Sequence, residues 1–141
     1  MGTKDSSKAD RIRSLPMFAA VARKSIANVT QAADELSFPA GHVLINEGHA
    51  NTEVFVVETG VASVAVGDEV VAEIHAGEVF GELSFFDPGP ATATVVAKTD
   101  MTALVIPHNR FDAIVKESPE ILESVVRDLA ARLRDSDARP V

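Results

Sequence analysis

The stretch that determines the fold covers residues 53–74 and reads EVFVVETGVASVAVGDEVVAEI. Its first part is a run of β-branched and aromatic residues, which Gly60 interrupts. Beyond Gly60, apolar and polar side chains alternate on both sides of Gly67 and Asp68. A glycine–aspartate pair between two alternating runs has the right chemistry for a two-residue hairpin turn. The stretch therefore predicts one strand followed by a β-hairpin.

Short strands continue on both sides of this stretch. Residues 42–45, 93–97 and 102–106 are mainly apolar runs with turn-forming residues between them. Short strands separated by frequent turns are typical of a small antiparallel barrel or jelly roll. The middle of the chain is therefore predicted to be all β.

Helical periodicity replaces this pattern at both ends of the chain. It runs from Asp10 to Asp34, where Pro16 splits it and Ser25 is a candidate N-cap for the second piece. After the last strand, Ser118 followed by Pro119 is a typical helix start. The apolar stripe of that last helix consists of Leu122, Val125, Val126, Leu129 and Leu133.

These elements predict one domain of the α+β class, an antiparallel β-roll (jelly-roll-like) flanked by N-terminal and C-terminal helices. The chain has 141 residues, which is enough for one domain with its own core. We expect the domain to cover residues 10–134. Residues 1–9 and 135–141 are predicted to be flexible.

Composition and charge exclude several classes of protein. The chain has no cysteine, which rules out a disulfide scaffold and a thiolate metal site. It lacks a bilayer-spanning apolar stretch and a signal-peptide pattern, so we expect a cytoplasmic protein without a membrane contact. The net charge is −8, and no lysine or arginine occurs between Lys24 and Lys98. An acidic chain of this kind is not expected to bind nucleic acid by itself.

The segment with a different composition covers residues 80–95 and reads FGELSFFDPGPATATV. It predicts a short helix and a Pro/Gly loop inserted between two strands. Amide groups at the start of such a helix can form a nest for an anion, and Glu82 can accept a hydrogen bond from a sugar hydroxyl. Glu82 can equally serve only the electrostatics of the helix start, and spacing alone favours that second interpretation.

The same segment resembles the phosphate-binding cassette of cyclic nucleotide-binding domains. The likeness extends outward along most of residues 15–134, through matching short motifs in the same order. These motifs are Leu15-Pro16-Met17-Phe18, Phe38-Pro39-Ala40-Gly41, Glu47-Gly48, Val54-Phe55-Val56-Val57 and Gly77-Glu78-Val79-Phe80. The ordered series is more specific than any one of its members.

The resemblance implies a set of ligand-binding residues around a cyclic phosphate: Gly81, Glu82, Leu83, Ser84, Ala91 and Thr92. It implies that Glu82 accepts a hydrogen bond from the ribose 2′-hydroxyl and that the backbone of Leu83 and Ser84 faces the phosphate. Thr92 would add a contact beside it. The family pattern places arginine where Ala91 stands here, and an arginine–phosphate contact contributes roughly 1.5–3 kcal/mol.

The function implied is a regulatory sensor module that binds cAMP or cGMP, weakly because Ala91 replaces the arginine. It is not expected to be an enzyme or to carry a cofactor. The alternative is a ligand-free domain of the same fold, used for protein interaction. The helix from Pro119 to Arg134 is the candidate surface for a homodimer or a partner domain, and direct DNA binding is not expected.

A third hypothesis is a metalloenzyme of the cupin type, which would need clustered histidine and glutamate ligands. The four histidines are scattered in the sequence and do not have ligand spacing: His42, His49, His75 and His108. We therefore expect no metal site. The sequence also contains no catalytic combination of a nucleophile and a base.

Overall fold

The computed structural model describes residues 4–134, and this part of the chain contains helices at both ends of a β-roll. The predicted flexible segment 135–141 lies outside the described residues, as do residues 1–3. The helices are α1 (Lys4–Ser14), α2 (Arg23–Ala32), α3 (Leu83–Phe86), α4 (His108–Glu117) and α5 (Pro119–Arg134), with a short 3₁₀ turn at Pro16–Phe18. No helix within residues 4–134 has the length and apolar character needed to cross a bilayer.

Eight strands form two antiparallel four-stranded sheets. The strands are β1 (Asp34–Phe38), β2 (Val43–Ile45), β3 (Glu53–Thr59), β4 (Ala62–Val66), β5 (Glu69–Ile74), β6 (Val79–Phe80), β7 (Thr94–Ala97) and β8 (Met101–Pro107). The first sheet has the order β1-β8-β3-β6, and the second has the order β2-β7-β4-β5. The predicted α+β fold with an antiparallel β-roll is confirmed.

The predicted hairpin is β4–β5, in which Val66 pairs with Glu69 across Gly67 and Asp68. Gly67 has φ +60°, the left-handed conformation that such a turn requires. The ladder shifts register once between Val64 and Ala65. Strand β3, by contrast, pairs with the distant strands β8 and β6.

The continuous apolar run in β3 is explained by cores on both faces of its sheet. Val54 and Val56 pack among the helices, whereas Phe55 and Val57 pack between the two sheets. A strand that is covered on both faces loses the polar alternation of a half-exposed strand. The helical core also contains Ile12, Phe18, Ile26, Leu104, Ile114 and Ile121.

Two expectations at the N-terminal end need correction. The helical pattern was expected from Asp10, whereas helix α1 begins at Lys4. In this added part, the Lys8 ammonium group donates to the carbonyl of Ala33 in the segment before β1. The flexibility of residues 1–9 stays a prediction. Ser25 is not an N-cap, since α2 begins two residues earlier and the buried Ser25 hydroxyl donates to Glu120.

Candidate functional site

A cavity of about 260 Å³ lies beside the segment of residues 81–92, which we call the cassette segment. Five of the six predicted binding residues line this cavity: Gly81, Leu83, Ser84, Ala91 and Thr92. The remaining wall comes from β2 and the loop before β3, through Ile45 and Asn51, and from the Pro/Gly loop of the cassette segment. The structure therefore brings these five residues together around one space.

Gly81 holds the cassette segment close to β3. Its φ is +86°, and a Cβ atom at this position would lie 2.4 Å from the carbonyl oxygen of Glu53. Only glycine combines that conformation with that approach. The Gly81 carbonyl oxygen also accepts from the Asn51 amide, at 3.2 Å, and lies 3.2 Å from Nε2 of His108. These contacts join the entrance of the cassette segment to β3 and to the start of α4.

Asn51 and His108 were not identified as site residues from the sequence. Asn51 carried no sequence signal, and His108 was considered only as a metal ligand. The backbone N–H of His108 donates to the carbonyl of Thr52, which brings it to the same place as Asn51. Only the folded structure identifies these two residues, because it brings both side chains to the carbonyl group of Gly81.

The aromatic residues of the cassette segment turn away from the cavity. Phe85 packs edge to face against Phe111 of α4, with ring centroids 4.8 Å apart, and also contacts His108. Phe86 is partly exposed and lies edge to face on Phe85. Neither phenylalanine lines the cavity. Helix α3 is therefore attached to α4 by its aromatic side while its other side stays available to the cavity.

The far end of the cassette segment is held by backbone pairing. The N–H of Ala91 donates to the carbonyl of His49, and the Ala91 carbonyl accepts from the N–H of Gly48, each at 2.8 Å. Next along the chain, the Thr94 hydroxyl accepts from the N–H of Glu47. The position where the family pattern has arginine is therefore anchored and faces the cavity.

The charge of the cavity wall is negative. Among residues 4–134, Asp87 is the only charged residue that lines it. Ala91 supplies no guanidinium, so an anion in this cavity would be bound by neutral groups and would meet one carboxylate.

Glu82 is the predicted residue that does not line the cavity. Its side chain is fully buried (0% exposed). Its Oε1 atom lies 3.7 Å from a guanidinium nitrogen of Arg132 in α5. The expected contact with a ribose hydroxyl stays a prediction.

The buried Arg132 is the centre of a group of charges, which we call the Arg132 cluster: Glu78, Glu82, Asp128 and Arg132. The Arg132 side chain is 4% exposed, and it lies 2.9 Å from Asp128, 3.8 Å from Glu78 and 3.7 Å from Glu82. It also donates to the carbonyl of Val79. Burial raises the pKa of Asp128, and the charge of Arg132 opposes that rise. Arg132 stands seven residues after the buried Val125, a spacing that keeps it on the inner helix face.

A larger cavity of about 410 Å³ lies elsewhere, between α1 and the first sheet. It contains none of the predicted binding residues. Arg11, Glu35 and Glu58 line part of it and form what we call the α1 cluster. The Arg11 guanidinium lowers the pKa of Glu35, whereas burial and the neighbouring Glu35 raise the pKa of Glu58 to about 7.

The histidines do not form a metal site in the part of the chain that the structure describes. Across residues 4–134, no three histidine, aspartate or glutamate side chains are arranged to hold a metal ion. His75 lies beside Glu73, His42 contacts Phe38, and His108 contacts the cassette segment.

The structure is a β-roll flanked by helices, with a cavity beside an inserted short helix. Comparison with known proteins identifies the family. Residues 35–118 match the family described as cyclic nucleotide-binding domain. The chain is 30% identical over 125 residues to a CRP-like cAMP-activated global transcriptional regulator of Mycobacterium tuberculosis. This match covers 84% of the chain and 55% of the regulator, so the chain spans about half of that relative. The chain belongs to the cyclic nucleotide-binding domain family.

Two solved structures show the range of the likeness. The N-terminal domain of a transcriptional regulator from Streptomyces coelicolor is 31% identical, with a TM-score of 0.67 and coverage of 91% of this chain and 93% of that one. The regulatory subunit of a cAMP-independent protein kinase A from Trypanosoma brucei is 18% identical, with a TM-score of 0.77 and coverage of 94% and 51%. The second likeness concerns the fold alone.

Proposed function

We propose that this chain is a regulatory module that binds a cyclic mononucleotide, cAMP or cGMP, in the cavity beside the cassette segment, and that it binds weakly. The observation that carries the proposal is the convergence of Gly81, Leu83, Ser84, Ala91 and Thr92 on one cavity. The M. tuberculosis relative, which is described as cAMP-activated, supports the same ligand class. A regulatory rather than a catalytic role, in the cytoplasm, is part of this proposal.

The predicted contacts fit the lining of the cavity. Ser84 and Thr92 supply hydroxyl groups and backbone to the space where the phosphate would lie. Phe85 provides the route for a response, because it joins α3 to Phe111 of α4. A ligand that orders the cassette segment would shift α4 and α5 to the extent that it binds the two states with different affinity.

The direct test is calorimetric titration of the protein with cAMP and with cGMP. We expect saturable binding, and a ligand at 100 times its dissociation constant should stabilise the fold by about 2.7 kcal/mol. Ser84→Asp adds a carboxylate to the cavity wall and should abolish binding, whereas Ser84→Asn adds similar volume without charge and should retain more of it. The absence of heat and of a thermal shift at millimolar concentrations of both nucleotides would contradict the proposal.

The second candidate is a ligand-free module that forms a homodimer or contacts a partner domain through α5. One observation favours it: Val126 is 53% exposed and Leu133 is 74% exposed, on the solvent edge of the apolar stripe that contains the buried Val125. Leu122 and Leu129 lie between this edge and Val125, at heptad-like spacing, and are half-buried. The fold does not decide between the candidates, because the T. brucei subunit of the same fold belongs to a protein kinase A that is described as cAMP-independent.

Light scattering after size-exclusion chromatography tests this second candidate. A dimer that Val126→Glu converts to a monomer would support a function of the α5 surface. Glu123→Gln, an exposed change on the same helix, is the matched control and should leave the mass unchanged.

A further inference from the structure

Within residues 4–134, each of the two sheets has two edge strands, and three of these four edges are poorly suited to pair with a further strand. Short length and an irregular register both protect a sheet edge from such pairing. Strand β6 has two residues, β2 has three and an irregular ladder, and β5 pairs with β4 across a register shift. Strand β1 differs, because its five residues pair with β8 in unbroken register and include no proline or lysine. The edge of β1 is therefore open to another strand.

Two cavities lie along β1 and together form what we call the β1 groove. The cavity of about 410 Å³ beside α1 is lined by Glu35, Leu36 and Ser37 of β1. A second cavity, of about 420 Å³, continues from Ser37 to Phe38 and Pro39. The two cavities share three hydroxyl residues on neighbouring strands: Ser37, Thr102 and Thr59. A strand added beside β1 places every second side chain on the side of this groove, at intervals of about 6.6 Å.

The β1 groove is acidic. Among the described residues, three carboxyl groups and one cation line it: Glu35, Glu58, Asp100 and Arg11. The Arg11 guanidinium is already paired with Glu35. Burial and the neighbouring Glu35 raise the pKa of Glu58 to about 7, although Arg11 and Lys8 of α1 oppose the rise. A further cation in the groove would therefore be favourable. A second copy of this chain, with its net charge of −8, would instead bring the same carboxylates to the contact.

We propose that β1 is a docking edge for an extended segment of a partner protein that is rich in lysine or arginine, and that this segment joins the first sheet as a fifth strand. Backbone hydrogen bonds to β1 supply the affinity, and cationic side chains in the β1 groove, near Glu35 and Glu58, supply the specificity. Among the described residues, the β1 groove and the cavity beside the cassette segment have no lining residue in common. The inference is therefore independent of nucleotide binding.

The first test uses a short blocked peptide in which lysine and valine alternate, titrated into isotope-labelled protein and followed by NMR. The amide signals of residues 34–38 should shift on binding, whereas those of β5 should not. Leu36 is 44% exposed, so Leu36→Lys should fold. It should weaken binding about tenfold, because it replaces an apolar cross-strand contact with a like-charged one. Val70→Lys is the matched control, since it makes the same change in charge at an exposed position of the β5 edge and should alter the affinity little.

The second test changes the peptide and does not depend on a protein variant. Successive backbone N–H groups of a strand point to opposite edges, so N-methylation of every lysine blocks one edge and N-methylation of every valine blocks the other. One of these two peptides should lose binding and the other should keep it. A peptide with glutamate in place of every lysine should not bind, because the groove is acidic.

Each contrary result has a definite meaning for the docking edge. Equal weakening by Leu36→Lys and Val70→Lys, or equal binding of the two methylated peptides, would indicate general charge attraction and would overturn the proposal. Unchanged signals of residues 34–38 at millimolar peptide would overturn it as well. Shifts of these signals that depend on protein concentration in the absence of peptide would assign the edge to a second copy of the chain instead.

Discussion

Both terminal helices place an arginine against carboxylates of the first sheet, and the two contacts differ in burial. In the Arg132 cluster, the Arg132 side chain of α5 is only 4% exposed to solvent. It faces Glu78 and Glu82, which flank β6. In the α1 cluster, Arg11 is 51% exposed and forms a two-pronged contact with Glu35 of β1, at 2.8 and 2.5 Å. The geometry of the exposed pair is the better of the two.

Burial, rather than geometry, decides which contact matters more for the fold. An exposed ion pair is screened by water and contributes between zero and about 1 kcal/mol. Removing one partner of a buried pair leaves an uncompensated charge, which costs about 3–5 kcal/mol. Since the buried contact also borders the cassette segment, the same arginine links stability to the candidate site.

The largest predicted effect on stability comes from replacing each of the two arginines in turn, which tests whether burial distinguishes the two clusters. Arg132→Met should lower the free energy of unfolding by about 3 kcal/mol, the lower end of the buried-pair range because its partners Glu78 and Asp128 keep part of their contact with water. Arg11→Met should lower it by much less, because water screens the exposed pair. Urea denaturation of the two variants measures both values, and equal losses would show that burial does not distinguish the clusters.

The next largest effect is expected at Gly81, the first residue of the cassette segment, where the backbone approaches β3. Gly81→Ala forces an alanine into φ +86° with its Cβ 2.4 Å from the Glu53 carbonyl oxygen. We expect a loss of about 2–3 kcal/mol, from left-handed strain and from displacement of the segment away from β3.

Gly89→Ala is the control for this change, because the nearest atom to an added Cβ there is the Asp87 carbonyl oxygen at 4.0 Å. Its effect on urea denaturation should stay within about 0.5 kcal/mol. A loss in Gly81→Ala no larger than that of the control would mean that the close approach to β3 is not required.

A third environment for arginine is created by Ala91→Arg, which puts a guanidinium on the cavity side of the cassette segment. It should raise the affinity for cAMP at least about tenfold, because a charge-assisted contact to phosphate replaces a wall whose only charge is Asp87. Ala91→Met adds comparable length without charge and should not produce this gain. Calorimetry in low and high salt checks both variants, and equal affinities of the two would contradict the predicted phosphate position.

Much of the fold could be predicted because its signals are local. The Gly67-Asp68 turn, the apolar run of β3 and the Ser118-Pro119 helix start each depend on neighbouring residues, and the structure has an element at each place. The start of α1 was missed because Lys8 is ordered by a carbonyl 25 residues away. Ser25 was misassigned for the same reason, since its partner Glu120 is 95 residues away.

The residues of the candidate site also divide into those found from a local motif and those that only the fold brings together. Nine of the described lining residues lie within residues 81–92, and the five predicted ones are among them, so a contiguous motif was sufficient to identify those five. Asn51, His108 and Arg132 reach the same region across 30, 27 and 53 residues of chain. The charge pattern correctly indicated that no arginine arises within the barrel. It could not show that α5 brings one to the back of the cassette segment.

The smallest predicted effect concerns the α1 cluster and its dependence on pH. The pKa of Glu58 is raised to about 7, chiefly by burial and then by the neighbouring Glu35, while Arg11 and Lys8 of α1 oppose the rise. A carboxyl group whose pKa is raised on folding binds more protons in the folded state than in the unfolded state. Its contribution to stability is therefore full below about pH 4.5 and is lost as the pH rises through 7.

Glu58→Gln keeps a neutral side chain beside Glu35 at every pH and should remove this loss. Between pH 5 and pH 8 the wild-type protein should lose on the order of 1 kcal/mol more than the variant, a value reduced for the solvent screening of a half-exposed group. Histidines titrate in the same window, but they are common to both proteins and cancel in the difference. Parallel pH profiles in urea denaturation would mean that Glu58 is ionised throughout. The α1 cluster would then resemble the Arg132 cluster more closely than its exposure suggests.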